Sequence, residues 1–238
     1  MTLDGRVEIL GFHGSPGTPR EFSLLDPLLN NARISCSPRS SLVAAMEPKL
    51  VAAKVLLGFS WGAAEALLAA AEGAALPRAL VLVAPYVFAP DVSILKRGLL
   101  RTPALGAALL RKMGPAQMRA FAEKSASPVA APESFREYCA SLAQPGILAQ
   151  AVFEKHGKRR RIHDALVKLG TAKVPTLLVW GAEDQTSTRD GQIVPLLKAL
   201  SIRQELCLEG AGHAIPWTHS GELSRSLDEF IEDIREEL

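Results

Sequence analysis

The chain is poor in cysteine and aromatic residues and carries almost no net charge. Its cysteines, Cys36, Cys139 and Cys207, are far apart and odd in number, which argues against a disulfide framework and a zinc knuckle. Cys207 falls in a strand-like run and reads as a small core residue. A formal charge of +2 is too small to point to nucleic acid or a membrane surface. No apolar run is long enough to span a bilayer. Residues 1–6 lack the basic stretch, apolar run and cleavage site of a secretory leader, so the expected compartment is a reducing cytoplasm. Internal repeats and low-complexity linkers are also missing.

What is present is the profile of a globular protein: 238 residues, 48% hydrophobic and 22% charged, enough for one domain with a real core. Short apolar runs alternate with helical spacing. Strands are expected at Val7–Phe12, Ala32–Ser37, Lys54–Gly58, Ala79–Ala84, Thr176–Trp180 and Glu205–Leu208. Helices are expected at Pro19–Asn30 (Phe22, Leu25, Leu28 and Leu29 on one side), at Leu42–Val51, at the Ala-rich stretch Ser60–Glu72, and at Leu223–Glu236. The runs lack period-2 alternation, as strands buried on both faces do. The pattern predicts an α/β fold, with a mostly parallel sheet of about six strands and helices on both faces.

Residues 86–171 break the alternation. They show helical pieces at Leu95–Met113, Pro115–Lys124, Pro132–Leu142 and Gly146–His156, punctuated by prolines. A structureless loop of that length is uncommon, so this segment is expected to form a helical lid inserted into a core made of residues 1–85 and 172–238.

Four loops at strand ends carry chemistry. Gly58-Phe59-Ser60-Trp61-Gly62 joins an apolar strand to the Ala-rich helix. Glycines two before and two after the serine permit a sharp turn that lifts the hydroxyl above the sheet. The first N–H groups of the helix then lie where an oxyanion would form. The bland alternative is a helix-capping serine. Gly181-Ala182-Glu183-Asp184 ends another strand and supplies an acid, Asp184, that would orient an imidazole; an ordinary turn aspartate is the alternative, and Glu183, Asp190 and Asp91 compete for the role. Gly210-Ala211-Gly212-His213 supplies that imidazole, His213. A lone loop histidine is more often a surface residue. The order serine, acid, histidine, each at a strand end, is what selects the catalytic reading. His13-Gly14-Ser15-Pro16-Gly17 ends the first strand. It lacks the Gly-Lys-Ser/Thr end of a P-loop, and either offers the Ser15 N–H as a second oxyanion donor beside that of Trp61 or is a plain Gly/Pro turn.

In these four motifs, and in their order, the chain resembles the α/β-hydrolase superfamily over roughly residues 7–85 and 172–236. The resemblance implies a triad of Ser60, Asp184 and His213, an oxyanion hole at Ser15 and Trp61, and cofactor-free, metal-free acyl chemistry. It differs from the family in having no room before Val7 for two further strands, in a short stretch from His13 to Ser60, and in Ala63, where a further glycine is common. The shortened sheet edge makes a homodimer as well as a monomer conceivable. His13, Gly14 and Trp217 are expected to border the substrate, with Trp61 beside them.

The reading that follows is a serine hydrolase cleaving a carboxylic ester or thioester through an acyl-enzyme. The lid is rich in Leu and Ala, which suits an acyl chain or a small aliphatic ester. Lys155, Lys158, Arg159, Arg160 and Arg161 form a basic run that is either a solvated face or a dock for an acidic partner such as an acyl carrier protein; esterases acting on pimeloyl-carrier-protein methyl esters look similar in size and layout. Two further readings stand beside it: carbon–carbon bond cleavage or elimination, as in the menaquinone-pathway lyase, and a binding protein with a vestigial triad.

Overall fold

The computed structural model describes residues 6–36 and 54–237. Six strands, β1 (Val7–Phe12), β2 (Ala32–Cys36), β3 (Val55–Phe59), β4 (Ala79–Val83), β5 (Thr176–Gly181) and β6 (Ile202–Leu208), form one sheet in the order β2-β1-β3-β4-β5-β6. Every adjacent pair is parallel. The order reverses at β1, which lies between β2 and β3. The crevice beyond the strand ends at such a reversal is where open α/β sheets hold their ligands.

Both faces of the sheet are covered, which is why its four inner strands, β1, β3, β4 and β5, are buried almost throughout and read as apolar runs. On one face Leu10, Leu56, Leu80 and Leu178 pack against helix α1 (Trp61–Glu72). On the other Ile9, Leu57, Val81 and Val179 pack against the C-terminal helix (Ser220–Asp233). That helix turns Leu223, Leu227, Phe230 and Ile231 fully inward, as its periodicity predicts, and Ile234, just past its end, is buried with them. Each such aliphatic side chain contributes roughly 1.5–3 kcal/mol on burial.

Between β4 and β5 run α2 (Ile94–Arg101), α3 (Pro103–Ala126), α4 (Glu133–Ser141), α5 (Pro145–Phe153) and α6 (Arg159–Thr171). The first four share an apolar cluster of their own, including Leu100, Leu110, Met118, Phe135, Tyr138 and Leu148. The last is different. Ile162, Ala165, Leu166 and Leu169, spaced i, i+3, i+4, i+7, face the sheet-covering cluster that holds α1. Within residues 86–171, then, α6 packs with the core layer and α2–α5 form the part set apart from it.

Several elements differ from expectation. The Pro19–Asn30 segment is two 3₁₀ turns, Pro19–Phe22 and Asp26–Leu28, not a helix. Pro27 has no N–H to donate and its ring crowds the carbonyl a turn earlier; Leu28, expected inward, is 46% exposed. In the insertion the break comes at Thr102–Pro103, where proline starts α3 and forces the preceding residue out of helical geometry. The break expected at Pro115 does not occur, and α3 runs through it. Close packing holds the helix together there: a Cβ on neighbouring Gly114 would lie 2.7 Å from Leu148 on α5. Strand β6 begins three residues earlier than expected, at Ile202, because an edge strand alternates half-buried and exposed positions and needs few apolar residues. The helix expected at Leu42–Val51 lies outside the described residues. All three cysteines are free. Among the described residues no helix is long and apolar enough to cross a membrane, and no group of His, Cys, Asp and Glu is arranged to hold a metal ion.

Candidate active site

Ser60 occupies a strained position between β3 and α1, with φ 54° and ψ −124°. Only packing on all sides holds a non-glycine residue there, at a cost of about 1–3 kcal/mol. Its N–H donates to the Val83 carbonyl (3.0 Å), and its carbonyl accepts from Ala63 (3.1 Å) and Tyr86 (3.0 Å). The flanking glycines are obligatory: a Cβ on Gly62 would sit 1.9 Å from the Phe12 carbonyl oxygen, and one on Gly58 would sit 2.4 Å from the Cα of Ala63. The Ser60 side chain does not cap the helix, so the capping alternative fails.

Its hydroxyl lies instead 2.9 Å from Nε2 of His213. The opposite ring nitrogen, Nδ1, lies 2.7 Å from Oδ2 of Asp184. All three residues are buried. Asp184 is both a turn residue and the partner of the histidine: Oδ1 accepts from Thr186 N (2.7 Å) and Ser187 N (2.8 Å). Burial alone would raise its pKa, but the imidazole and these donors outweigh that and hold the carboxyl below the usual carboxylate range. The competing acids are elsewhere. Glu183 and Asp190 are exposed, and Asp91 accepts the Gly157 N–H (3.0 Å) and lies 3.3 Å from His156.

The loop after β1 lies beside the elbow. Among the described residues neither the Ser15 nor the Trp61 N–H has a backbone acceptor. The Ser15 hydroxyl is likewise buried without a partner. The Gly14 N–H is committed to Oε2 of Glu21 at 2.5 Å. His13 is buried, and its Nδ1–H donates to the Gly14 carbonyl (3.0 Å); it is not among the residues lining the pocket. The Trp61 ring, also expected there, is fully buried in the cluster between sheet and α6.

The pocket at Ser60 is walled by aromatic rings: Phe59, Phe121, Phe135, Tyr138 and Trp217, with Phe59 directly preceding the serine. Trp217 packs on Phe135 (4.6 Å between centroids) and on Tyr138 (4.9 Å). The free space is about 20 Å³, room for about one water. Sequence reasoning found Trp217 but missed Phe121, Phe135 and Tyr138, which α3 and α4 bring in. It also missed Glu21, whose carboxylate lines the same pocket and accepts the Tyr138 O–H at 2.7 Å. Burial and the Glu21 charge raise the Tyr138 pKa, so its hydroxyl stays a donor. The same two causes push the neighbouring Cys139 thiol up to about 12, far from a nucleophile's range.

The basic run is not one face. Lys155 donates to the Ser15 carbonyl (2.8 Å), Lys158 lies over the Trp61 ring (5.6 Å), and Arg161 pairs with Glu72 (2.6 Å); Arg159 and Arg160 are exposed.

A model of the alpha/beta hydrolase family matches residues 7–226. No curated protein matches the chain. Solved structures do. An alpha/beta hydrolase fold protein from Burkholderia ambifaria is 18% identical with a TM-score of 0.72, over 94% of this chain and 90% of that one. A bromoperoxidase from Bacillus anthracis is 19% identical with a TM-score of 0.72, over 96% and 92%. The haloalkane dehalogenase DbeA from Bradyrhizobium elkani USDA94 is 18% identical with a TM-score of 0.73, over 98% and 92%. At these identities the likeness is one of fold.

Proposed function

Because the chain belongs to the alpha/beta hydrolase family, we propose that it is a serine hydrolase that cleaves a carboxylic ester or thioester through an acyl-enzyme on Ser60. The observation that carries this is His213, bonded on one side to Asp184 and on the other to Ser60. Asp184 fixes the tautomer with the proton on Nδ1, so the Nε2 lone pair accepts the serine proton as the oxygen attacks the carbonyl. The Trp61 and Ser15 N–H groups hold the oxyanion. His213 then protonates the departing alcohol or thiol. Water, deprotonated by the same nitrogen, attacks the acyl-serine and releases the acid.

The nucleophile itself favours acyl transfer over halide displacement. A serine alkylated by a halide becomes an ether, which water does not hydrolyse, whereas an acylated serine is an ester that His213 helps water to cleave. The pocket favours a small acyl group, because α3 and α4 close it with Phe121, Phe135 and Tyr138. These helices act as a lid, and longer chains enter only when it moves.

Fluorophosphonate labelling with mass mapping tests the reading. Modification is expected at Ser60 and is lost in Ser60→Ala. A folded protein that stays unlabelled, with the pocket opened by Phe121→Ala, overturns it.

A further inference from the structure

We propose that Glu21 is a positioning residue for the oxyanion donors. Its buried carboxylate holds the Gly14–Ser15 loop, and Tyr138 ties that hold to the helical insertion. This rests on the serine-hydrolase reading above.

Glu21 is 1% exposed, on the turn that follows the loop. Its two oxygens serve different segments: Oε2 accepts the Gly14 N–H (2.5 Å), and Oε1 accepts the Tyr138 O–H (2.7 Å). The Tyr138 oxygen in turn accepts the Thr18 N–H (2.8 Å), so the residues between Gly14 and Glu21 are gripped at both ends. Hydrogen bonds to an ionised acceptor are shorter and roughly twice as strong as neutral ones. The loop is shaped around this carboxylate. A Cβ on Gly17 would lie 2.3 Å from Oε1, and one on Gly14 would lie 3.2 Å from it.

The consequence is geometric. Gly14 has no Cβ to restrict its rotation, yet the peptide planes on both sides of it are fixed. Glu21 takes the N–H of the plane before it. His13 holds the carbonyl of the plane after it. That second plane carries the Ser15 N–H, which in a trans peptide points opposite to the carbonyl. Fixing both planes aims the Ser15 N–H before substrate arrives, which is how an oxyanion donor becomes effective. Lys155, on the Ser15 carbonyl, anchors the next plane.

A carboxylate that only fills space would affect folding and nothing else. One that aims a donor affects the transition state more than substrate binding. The test uses the full chain, p-nitrophenyl acetate as substrate, and rates normalised to fluorophosphonate-labelled sites. Affinity for a trifluoromethyl ketone, which forms an oxyanion on Ser60, is measured alongside. Glu21→Ala is expected to lower kcat roughly 30-fold with KM within about twofold, below the 10²–10³ cost of losing a donor outright. Glu21→Gln keeps one good acceptor and is expected to recover about tenfold of that loss. Tyr138→Phe, which keeps the ring on Trp217, is expected to lower kcat severalfold. Ketone affinity should fall in parallel in each. If Glu21→Ala does not fold, the other two variants carry the same comparison. Wild-type kcat in the folded variants, or reduced kcat with unchanged ketone affinity, overturns the inference while leaving the hydrolase reading intact. A wild-type enzyme that neither labels at Ser60 nor turns over the ester removes both.

Discussion

Asp184 meets His213 at 2.7 Å through one carboxylate oxygen, while the other oxygen accepts two backbone N–H groups from Thr186 and Ser187. The acid is thus fixed by its own turn before the histidine binds it. The imidazole inherits that rigidity and presents Nε2 to Ser60. Asp184→Asn keeps the shape but offers Nδ1 either a donor or an acceptor, so the tautomer is no longer set. Ester turnover is expected to fall roughly 10²- to 10⁴-fold, measured as kcat at constant labelled-site concentration. Full activity in the Asp184→Asn enzyme would place the triad acid elsewhere.

The same carboxylate makes the fold sensitive to acid. Its folded pKa is held below the unfolded value of about 3.9, so its stabilising contribution is complete above that value. The contribution is lost as pH falls through the lowered folded value, because protonation in the unfolded chain comes first. Thermal melts between about pH 2 and pH 6 should show Asp184→Asn losing less stability in acid than the wild type. Parallel curves would show that the carboxyl is not depressed.

The elbow tolerates no added methyl. In Gly62→Ala the new Cβ would meet the Phe12 carbonyl oxygen at 1.9 Å, and neither β1 nor α1 can move aside without opening the core. A loss of more than about 3 kcal/mol, or no soluble protein, is expected in urea unfolding. Wild-type stability in the Gly62→Ala variant would mean that the turn is looser than described.

Chain-length preference follows from the rings. Phe121 reaches the pocket from α3 and lies 6.4 Å from the His213 ring. Phe121→Ala removes the ring that this helix contributes to the wall. The ratio of kcat/KM for p-nitrophenyl decanoate over acetate should rise about tenfold, on the order of 1.4 kcal/mol. An unchanged ratio would show that chain length is limited elsewhere.

Pro115 sits exposed inside α3. An interior proline removes one helical hydrogen bond and crowds the preceding turn, a cost partly offset by its stiffening of the unfolded chain. Pro115→Ala is therefore expected to raise stability by about 1–2 kcal/mol, read from the denaturation midpoint, with labelling at Ser60 unaffected. Destabilisation would mean that the proline ring itself packs.

Much was legible in the sequence because it was local. The six apolar runs, the Ser60 turn bracketed by Gly58 and Gly62, and the inward face of the C-terminal helix each announce themselves within a few residues, since backbone geometry and burial period act at that range. The order of Ser60, Asp184 and His213 at successive strand ends was enough to nominate a triad. The tertiary structure decided everything that depends on which surfaces meet. It set Asp184, rather than Asp91, Glu183 or Asp190, against His213, left His13 and the Trp61 ring out of the pocket wall, and packed α6 with the sheet-covering cluster. It also collected Phe121, Phe135, Tyr138 and Trp217 from three distant segments into one wall. Glu21 shows the limit most clearly: a lone acid beside Arg20 gives no signal in one dimension, and its partners at Gly14 and Tyr138 are brought to it by folding.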